Sequence, residues 1–180
     1  MAEFSEVLKN RRSVRTFTDE PVAEKDLHAV LEAIQWSPSW ANTQCWEVVV
    51  VKDDKIKEQL AETLPKGNPA KKGMAAAPVV LAVAGRKNEA GYYKGAVTTK
   101  LGDWYMFDLG ICAQSMWLRA KDLGLGTVVV GLFDHDAASR ILGVPENMQL
   151  VFLAPLGHPA KEPKAPERKK IQEFTRTDRF

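Results

Sequence analysis

The chain has 180 residues, of which 45% are hydrophobic and 27% are charged, and its 25 Lys and Arg against 23 Asp and Glu give a formal charge of +2. These values predict one folded domain over residues 1–180, exclude an intrinsically disordered chain and argue against general polyanion binding. Residues 1–10 lack the apolar core of a signal peptide, and no stretch is long enough to cross a bilayer. We therefore expect a cytoplasmic protein with neither a membrane nor a nucleic-acid partner.

The first half of the chain predicts two helices, a buried strand and a third helix. Residues 3–9 suit a short helix, and residues 22–36 carry Leu, Val and Ile at helical spacing before a proline ends the pattern. Residues 47–51 are an apolar, β-branched run that predicts a buried strand, followed by a helix that ends near Leu64. Residues 65–73 are rich in Pro, Gly, Asn and Lys and predict a loop.

The next part of the chain predicts two more strands on either side of the longest helix. Residues 78–84 suit a second buried strand, and the polar segment 86–102 suits a loop or a short cover over a site. Residues 103–123 predict a helix that is apolar on almost every side, which places it in the middle of the molecule or in an interface. Residues 127–130 predict a third, short strand.

The remaining elements complete the sheet and leave a charged tail. Asp134 can cap a helix that ends at Gly143, residues 149–154 predict the fourth strand, and residues 155–157 are expected to turn the chain. Prolines and lysines interleave in residues 158–180, which predicts an extended C-terminal arm. Because helices and strands alternate, the pattern favours an α/β or α+β domain with a central sheet of about four strands.

Side chains that catalyse reactions by themselves form no recognisable motif. The three histidines lie in different predicted elements without metal-ligand spacing, so we expect no metal, and Cys45 and Cys112 form no CxxC pair. There is no GxSxG elbow and no P-loop, and Gly124, Gly126 and Gly131 follow a helix and precede a strand, the reverse of a dinucleotide-binding turn. An enzyme with this sequence would rely on a cofactor for its chemistry.

The segment NRRSVRTF at residues 10–17 concentrates positive charge. Arg11, Arg12 and Arg15 lie close together in sequence, and Arg11 and Arg15 would repel each other if they shared one face of a helix. An anion bound between them would relieve that repulsion. A solvated basic turn is the other interpretation, and this segment by itself leaves both open.

Four stretches, in this order, resemble those of the FMN-dependent nitroreductase family: NRRSVRTF, SPSWANTQCW, GLGTVVVGLFDHD and LAPLGHP. The resemblance extends over essentially the whole chain. It implies an α+β fold with a central, mostly antiparallel sheet flanked by helices. It also implies a homodimer that holds FMN in clefts at the subunit interface, with the arm of residues 158–180 extending to the partner subunit.

The resemblance further implies which residues bind the cofactor. They are Arg11, Arg12, Ser13, Arg15, Pro38, Ser39, Trp40, Asn42, Gln44, Val130, Gly131, Leu132 and Arg168. Arg11, Arg12 and Ser13 would meet the phosphate and ribityl chain, since arginine offers a planar fork of donors to phosphate oxygens. Arg15 would lie near the pyrimidine edge of the ring, where a fixed cation favours the reduced flavin.

Two loops and the tail complete the implied site. Residues 38–44 would contact the flavin from the partner subunit, and Trp40, which stands where many relatives have a small residue, would either narrow the substrate side or pack at the interface. The backbone of residues 130–132 would lie against the ring near N5, where Gly131 permits a close approach. Arg168 is expected on the phosphate, and the two lysines that follow it leave this register open by a residue or two.

The function that the resemblance implies is that of an FMN oxidoreductase. NADH or NADPH would deliver hydride to flavin N5 and leave, and an electron-poor acceptor such as a nitroaromatic or a quinone would then use the same face in a ping-pong mechanism. The alternatives are a flavin carrier or sensor without turnover, and a specialised dehalogenase or flavin-fragmenting enzyme of the same fold. A basic nucleic-acid module, a third alternative, would bind DNA or RNA in a salt-dependent way.

Overall fold

The structure, a computed structural model, describes residues 3–180. The helices are α1 (Phe4–Asn10), α2 (Glu24–Gln35), α3 (Asp54–Glu62), α4 (Lys71–Ala76), α5 (Tyr105–Asp122), α6 (His135–Leu142) and α7 (Ile171–Phe174), with a 3-10 turn at Trp40–Asn42. The strands are β1 (Trp46–Val51), β2 (Val79–Arg86), β3 (Tyr92–Tyr93), β4 (Ala96–Val97), β5 (Gly126–Thr127) and β6 (Met148–Gly157).

The central sheet has four strands in the order β1-β2-β6-β5, and every neighbouring pair is antiparallel. Its register places Trp46 opposite Gly85, Val83 opposite Phe152 and Thr127 opposite Leu156. Helices cover the sheet, so the fold is α+β. The predicted fold class and the expected four-stranded, mostly antiparallel sheet are confirmed.

Both faces of the sheet are buried, and β2 shows this most clearly. Val79, Leu81 and Val83 point into a core shared with α2 and α5, whereas the alternate residues of the strand pack into a second core with α3, α4 and α6. A strand buried on both faces reads as a continuous apolar run rather than an alternating one. This is why residues 78–84 could be recognised as a strand from the sequence.

The last two predicted strands differ from those observed. The predicted strand at residues 127–130 pairs as a strand only at Gly126–Thr127, and Val130 forms an isolated bridge with Leu153. The expected turn at residues 155–157 is wrong, because β6 runs through them. Leu153 pairs with Val130 on one side of β6. The nitrogen of Pro155, two residues further along the strand, lies on the same side and faces the unpaired residues between Thr127 and Val130. The N–H that proline lacks is therefore not needed for a hydrogen bond in the sheet.

Three short elements lie inside segments that were predicted to be irregular. Helix α4 begins within the predicted loop at 65–73, a two-stranded hairpin of β3 and β4 occupies part of the segment 86–102, and α7 interrupts the arm of residues 158–180. Helix α4 depends on a tertiary contact at its end, where the buried Lys57 donates to the Ala77 carbonyl at 2.8 Å. Local sequence patterns carry no signal for such contacts.

Within residues 3–180, no helix combines the length and the apolar character required to span a membrane.

The arginine segment is fixed at the outer edge of the sheet by backbone contacts. The Val14 amide donates to the Thr127 carbonyl at 3.0 Å, and the Thr18 amide donates to the His158 carbonyl at 2.9 Å. Gly73 of α4 packs against this segment so closely that a Cβ atom placed on it would lie 2.2 Å from the Arg15 carbonyl oxygen. The position of the arginines therefore depends on the absence of a side chain at residue 73.

We expect Gly73→Ala to lower the free energy of unfolding by about 1–3 kcal/mol, because the methyl group overlaps backbone that must shift to accept it. Gly67→Ala is the matched control, since no heavy atom lies within 4 Å of a Cβ atom at that position. Urea unfolding followed by far-ultraviolet circular dichroism measures both variants. Equal stabilities for the two would contradict the close packing at Gly73.

Candidate functional site

The candidate site begins at Arg11, whose positive charge is half-buried. Its guanidinium carbon lies 5.0 Å from the centroid of the Trp117 ring on α5. Burial lowers the pKa of Arg11, and the positive charges of Arg168 and Arg12 lower that pKa further. The structure thus brings Arg168 of the tail close to Arg11.

Carboxylates do not neutralise this cluster directly. Within residues 3–180, neither Arg11 nor Arg15 nor Arg168 lies within salt-bridge distance of an acidic side chain. Arg12 turns back to the chain and donates to the Lys9 carbonyl at 2.7 Å. The charges left exposed on the remaining arginines favour an external anion.

Ser13 lies at the sheet edge beside Arg11 and Arg12, and Arg15 is hydrogen-bonded to it. Ser13 forms a parallel bridge with Thr127, and Arg15 donates to the Ser13 carbonyl at 3.2 Å. The Thr127 hydroxyl is buried and has no hydrogen-bond partner within residues 3–180. A ligand that contacts Ser13 would lie at the same part of the sheet edge as the Thr127 hydroxyl.

An ion pair anchors the C-terminal tail, residues 158–180, next to the clustered arginines. Lys121 at the end of α5 forms a 2.9 Å ion pair with Glu162, and this hydrogen bond is the main reason that the pKa of Glu162 is lowered. The positive charge of Arg12 lowers that pKa as well, which places Glu162 near Arg12. Glu162 and its neighbours therefore lie over the C-terminal end of α5, and of the three consecutive basic residues of the tail it is Arg168 whose charge acts on Arg11.

An apolar cavity of about 500 Å³ lies between α5 and β6. Its lining residues are Met106, Leu109, Gly110, Ala113, Trp117, Val129, Gly131, His135, Gln149, Leu150, Val151 and Phe152. Trp117 also lines a smaller cavity that contains Arg11 and Arg12. Trp117 thus connects the arginine cluster with the apolar cavity, and its buried indole N–H has no acceptor within residues 3–180.

The segment 130–132 presents open backbone at this cavity. A Cβ atom on Gly131 would have no heavy atom within 4 Å, so space is open in front of the glycine. In the part of the chain that the structure describes, the amides of Gly131 and Leu132 donate to no protein acceptor. These two adjacent N–H groups are available to a bound molecule.

The loop of residues 38–44 is built on strained backbone. Ala41, Asn42 and Gln44 have positive φ angles of 44°, 57° and 48°, which side-chain-bearing residues rarely adopt. The Ser39 hydroxyl accepts a hydrogen bond from the Gln44 amide at 2.9 Å and so closes the loop. Pro38 precedes this turn and is exposed.

Two charged side chains from other elements hold the loop in this conformation. The carboxylate of Asp108 on α5, which is 1% exposed, accepts from the Trp40 amide at 3.1 Å with both oxygens. Arg86 at the end of β2 donates to the Gln44 carbonyl at 2.9 Å. Sequence reasoning missed both residues, although Asp108 is the one acidic residue in the apolar stretch 105–118 and carried a detectable signal.

Burial also changes the acid–base properties around Asp108. It raises the pKa of the Asp108 carboxyl, which the hydrogen bonds from Trp40 and Cys45 partly counteract. The thiol of Cys45 lies 3.6 Å from that carboxylate, and burial together with the negative charge of Asp108 raises the pKa of Cys45 to about 12. The thiol is therefore protonated and supports the loop rather than acting as a nucleophile.

Trp40 packs in an aromatic cluster at the start of α5. Its ring centroid lies 5.1 Å from that of Trp104, and the Trp104 centroid lies 5.3 Å from that of Phe107. Phe107 remains 59% exposed. The cluster forms an aromatic wall that continues from the strained loop onto an open face of α5.

The two groups of implied cofactor-binding residues lie at different positions along α5. The loop is anchored at Asp108, whereas Arg11 packs on Trp117, nine residues further along the helix and therefore about 13 Å away. One chain thus brings Arg168 near Arg11, and it anchors the loop of residues 38–44 at a different level of α5 from the arginines.

The chain is similar in sequence and in structure to several known proteins. A family model described as the nitroreductase family matches residues 8–158. The chain is 32% identical over 182 residues to an FMN reductase (NAD(P)H) of Bacillus subtilis, covering 93% of this chain and 72% of that protein. It is 28% identical over 204 residues to an iodotyrosine deiodinase of Nematostella vectensis, covering 96% and 74%. A solved structure of a nitroreductase family protein from Clostridium novyi has 27% identity and a TM-score of 0.78, covering 88% of this chain and 87% of that one.

The buried carboxyl of Asp108 leads to a pH-dependent prediction. Its pKa is raised above 3.8 in the folded protein, so between that value and the raised one the folded state binds more protons than the unfolded state. This group therefore lowers the free energy of unfolding as the pH rises through that window. We expect the stability of the wild type relative to Asp108→Asn to decline over the same window, as measured by urea unfolding at a series of pH values. Parallel pH profiles for the two proteins would contradict the assignment.

Proposed function

The chain belongs to the nitroreductase family, whose model matches residues 8–158, and on that premise we propose that it is an NAD(P)H-dependent FMN oxidoreductase. In this proposal, the acceptor is an electron-poor molecule such as a nitroaromatic or a quinone, and donor and acceptor use one site in turn by a ping-pong mechanism. The observation that carries the proposal is that Arg11 and Arg168 lie near each other without ion-pair partners within residues 3–180, and that Arg11 packs on Trp117, which also lines an apolar cavity.

The phosphate of FMN fits the arginine cluster. A phosphate monoester carries between one and two negative charges near neutral pH, and arginine donates to its oxygens through a planar fork. Arg11 is the central cation in this arrangement because the charges of Arg12 and Arg168 both act on it. Binding of the anion removes the mutual repulsion that the cofactor-free cluster carries. Ser13, which bridges to Thr127 at the sheet edge, is suited to the hydroxyl-bearing ribityl chain.

The flavin ring fits the adjoining cavity, which has apolar walls and two free backbone donors. Gly131 leaves room for a flat ring to approach the backbone, and the amides of Gly131 and Leu132 can donate to its polar edge. When bound there, FMN supplies the redox chemistry by accepting hydride from NADH or NADPH and passing electrons to the acceptor. Arg15 provides a cation that stabilises negative charge on the reduced ring.

A homodimer completes this site. The loop of residues 38–44 is anchored about 13 Å along α5 from Trp117, on which Arg11 packs, and we infer that it contacts the cofactor of a second chain, as the family resemblance implies. Two α5 helices packed antiparallel across a two-fold axis bring the loop of each chain towards the cluster of the other. The exposed Met106 and Phe107 of α5 favour burial in such an interface, and the exposed Ile171 and Phe174 of α7 suit an arm that packs on the partner subunit.

The test of the proposed function is an absorbance spectrum of the purified protein after addition of FMN and removal of the excess, followed by anaerobic NADH or NADPH. We expect the protein to retain the flavin spectrum and the spectrum to bleach when the reduced nicotinamide is added. Retention without bleaching would favour a flavin carrier or sensor. A folded dimer that retains no FMN would overturn the proposal.

Reductive dehalogenation is the second candidate function, and it is favoured by the similarity to the iodotyrosine deiodinase of Nematostella vectensis. The two candidates differ in their product. Iodide released from 3-iodotyrosine by the reduced protein would support the dehalogenase, whereas turnover of a quinone without iodide release supports the oxidoreductase.

Arg11 and Arg15 are expected to affect different steps. Arg11→Ala removes charge-assisted hydrogen bonds to the phosphate and should weaken FMN affinity about 10- to 100-fold. Arg15→Ala should slow flavin reduction by about tenfold or more and change FMN affinity less, because its charge acts on the reduced ring. FMN titration and anaerobic stopped-flow reduction measure the two effects.

Arg176→Ala is the control for this pair, since Arg176 is an exposed tail residue that bonds only to the neighbouring Thr175 carbonyl within residues 3–180. An unchanged reduction rate in Arg15→Ala would remove the role assigned to Arg15.

A further inference from the structure

The two ring nitrogens of His135, the first residue of α6, each face a backbone carbonyl at the rim of the apolar cavity. Its Nε2 atom lies 3.1 Å from the Gly131 carbonyl oxygen, and its Nδ1 atom lies 2.9 Å from the Leu150 carbonyl oxygen. The ring stacks on the buried Phe133, with the ring centroids 3.9 Å apart and an interplanar angle of 28°. A neutral imidazole carries one N–H and therefore donates to one of these two carbonyls, while Phe133 supports one face of the ring.

The Gly131 carbonyl depends on this contact, whereas the Leu150 carbonyl does not. Gln149 also donates to the Leu150 carbonyl at 3.1 Å, so that oxygen keeps a donor without His135. Within residues 3–180, the Gly131 carbonyl has no other donor. We therefore assign the Nε2 atom of His135 as the proton-bearing nitrogen that donates to Gly131.

Fixing this carbonyl also fixes the amide that follows it. The Gly131–Leu132 peptide bond is trans, so the Gly131 C=O and the Leu132 N–H belong to one plane and point in opposite directions. The next carbonyl, that of Leu132, accepts from the Asn68 side chain at 3.3 Å. Two successive peptide planes are thus oriented by side chains, at a point where glycine would otherwise allow the first plane to rotate.

We propose that His135 is a positioning residue that aims the free Leu132 amide at the flavin ring by holding the Gly131 carbonyl. This inference rests on the proposed function, because the Leu132 amide has no protein acceptor within residues 3–180 and directly follows Gly131, which lines the cavity assigned to the ring. A directed N–H donor stabilises the additional negative charge of the reduced ring. His135 therefore affects the ease of flavin reduction without touching the phosphate site.

Three variants separate the contact of His135 with the Gly131 carbonyl from its contact with the Leu150 carbonyl. The amide nitrogen of Gln reaches about as far as Nε2 and restores the donor to Gly131, whereas that of Asn reaches only as far as Nδ1. Ala restores neither. We expect His135→Gln to reduce its flavin within about twofold of the wild-type rate, and His135→Asn and His135→Ala to be slower by about two- to tenfold, the value of one hydrogen bond.

Three further readouts distinguish positioning from packing. FMN affinity should change less than about twofold in every variant, and the flavin midpoint potential should become more negative in Asn and Ala but not in Gln. Equal rates and potentials for the Gln and Asn variants would overturn the proposal. In the wild-type protein without added FMN, ¹H–¹⁵N NMR should show the proton of His135 on Nε2 and one sharp Leu132 amide resonance.

The NMR measurement requires neither a folded variant nor activity. A neutral His135 with its proton on Nδ1 would overturn the positioning role by itself. If the wild type shows the Nε2 tautomer and yet retains no FMN, the proposed function fails while the local geometry stands.

Discussion

Helix α5 packs across one face of the central sheet, and both parts of the candidate site depend on that packing. Near its N-terminal end, the buried carboxylate of Asp108 accepts the Trp40 amide and holds the strained loop of residues 38–44. Near its C-terminal end, Trp117 lies under Arg11, and Lys121 anchors the tail through Glu162. The sheet thus fixes one rigid helix, and the helix sets the distance between the loop and the arginine cluster.

Repulsion between the positive charges of the clustered arginines is the main electrostatic feature of the candidate site. Arg11 is half-buried on Trp117 with the charges of Arg12 and Arg168 nearby, an arrangement that burial makes more costly than it would be in water. Folding tolerates this cost because most of the molecule is a conventional two-sided core. Strain at Ala41, Asn42 and Gln44 is a second local cost, maintained by hydrogen bonds from outside the loop. Both features lie at the positions that the proposed function requires.

The larger elements were predicted from the sequence because their signals are local, whereas the choice of an α+β fold came from the family resemblance. The β-branched run of β1 and the continuous apolar run of β2 indicated buried strands, and Asp53 and Asp134 cap α3 and α6 through their side chains. The misjudged parts depend on distant contacts. Helix α4 ends on Lys57 from another helix, and Pro155 continues a strand because the neighbouring ladder is interrupted where its N–H would point.

The candidate site shows the same division. The motifs and the resemblance supplied residues that face a ligand, such as Arg11 and Gly131. They did not supply residues that act through others, because Asp108, Arg86 and His135 support backbone groups that only the folded chain brings near them. Their contacts join residues separated by up to 68 positions, and His135 contacts a carbonyl only four residues away through a turn that no motif describes.

The two cysteines that support this helix have a practical consequence. Cys45 and Cys112 are fully buried beside Asp108 and within α5, and burial raises the pKa of each to about 12. At neutral pH only about one thiol in 100,000 is then ionised, and thiol-modifying reagents react with the thiolate. The native protein is therefore inert to such reagents, and the rate at which its cysteines become labelled reports how often the layer between α5 and the sheet opens.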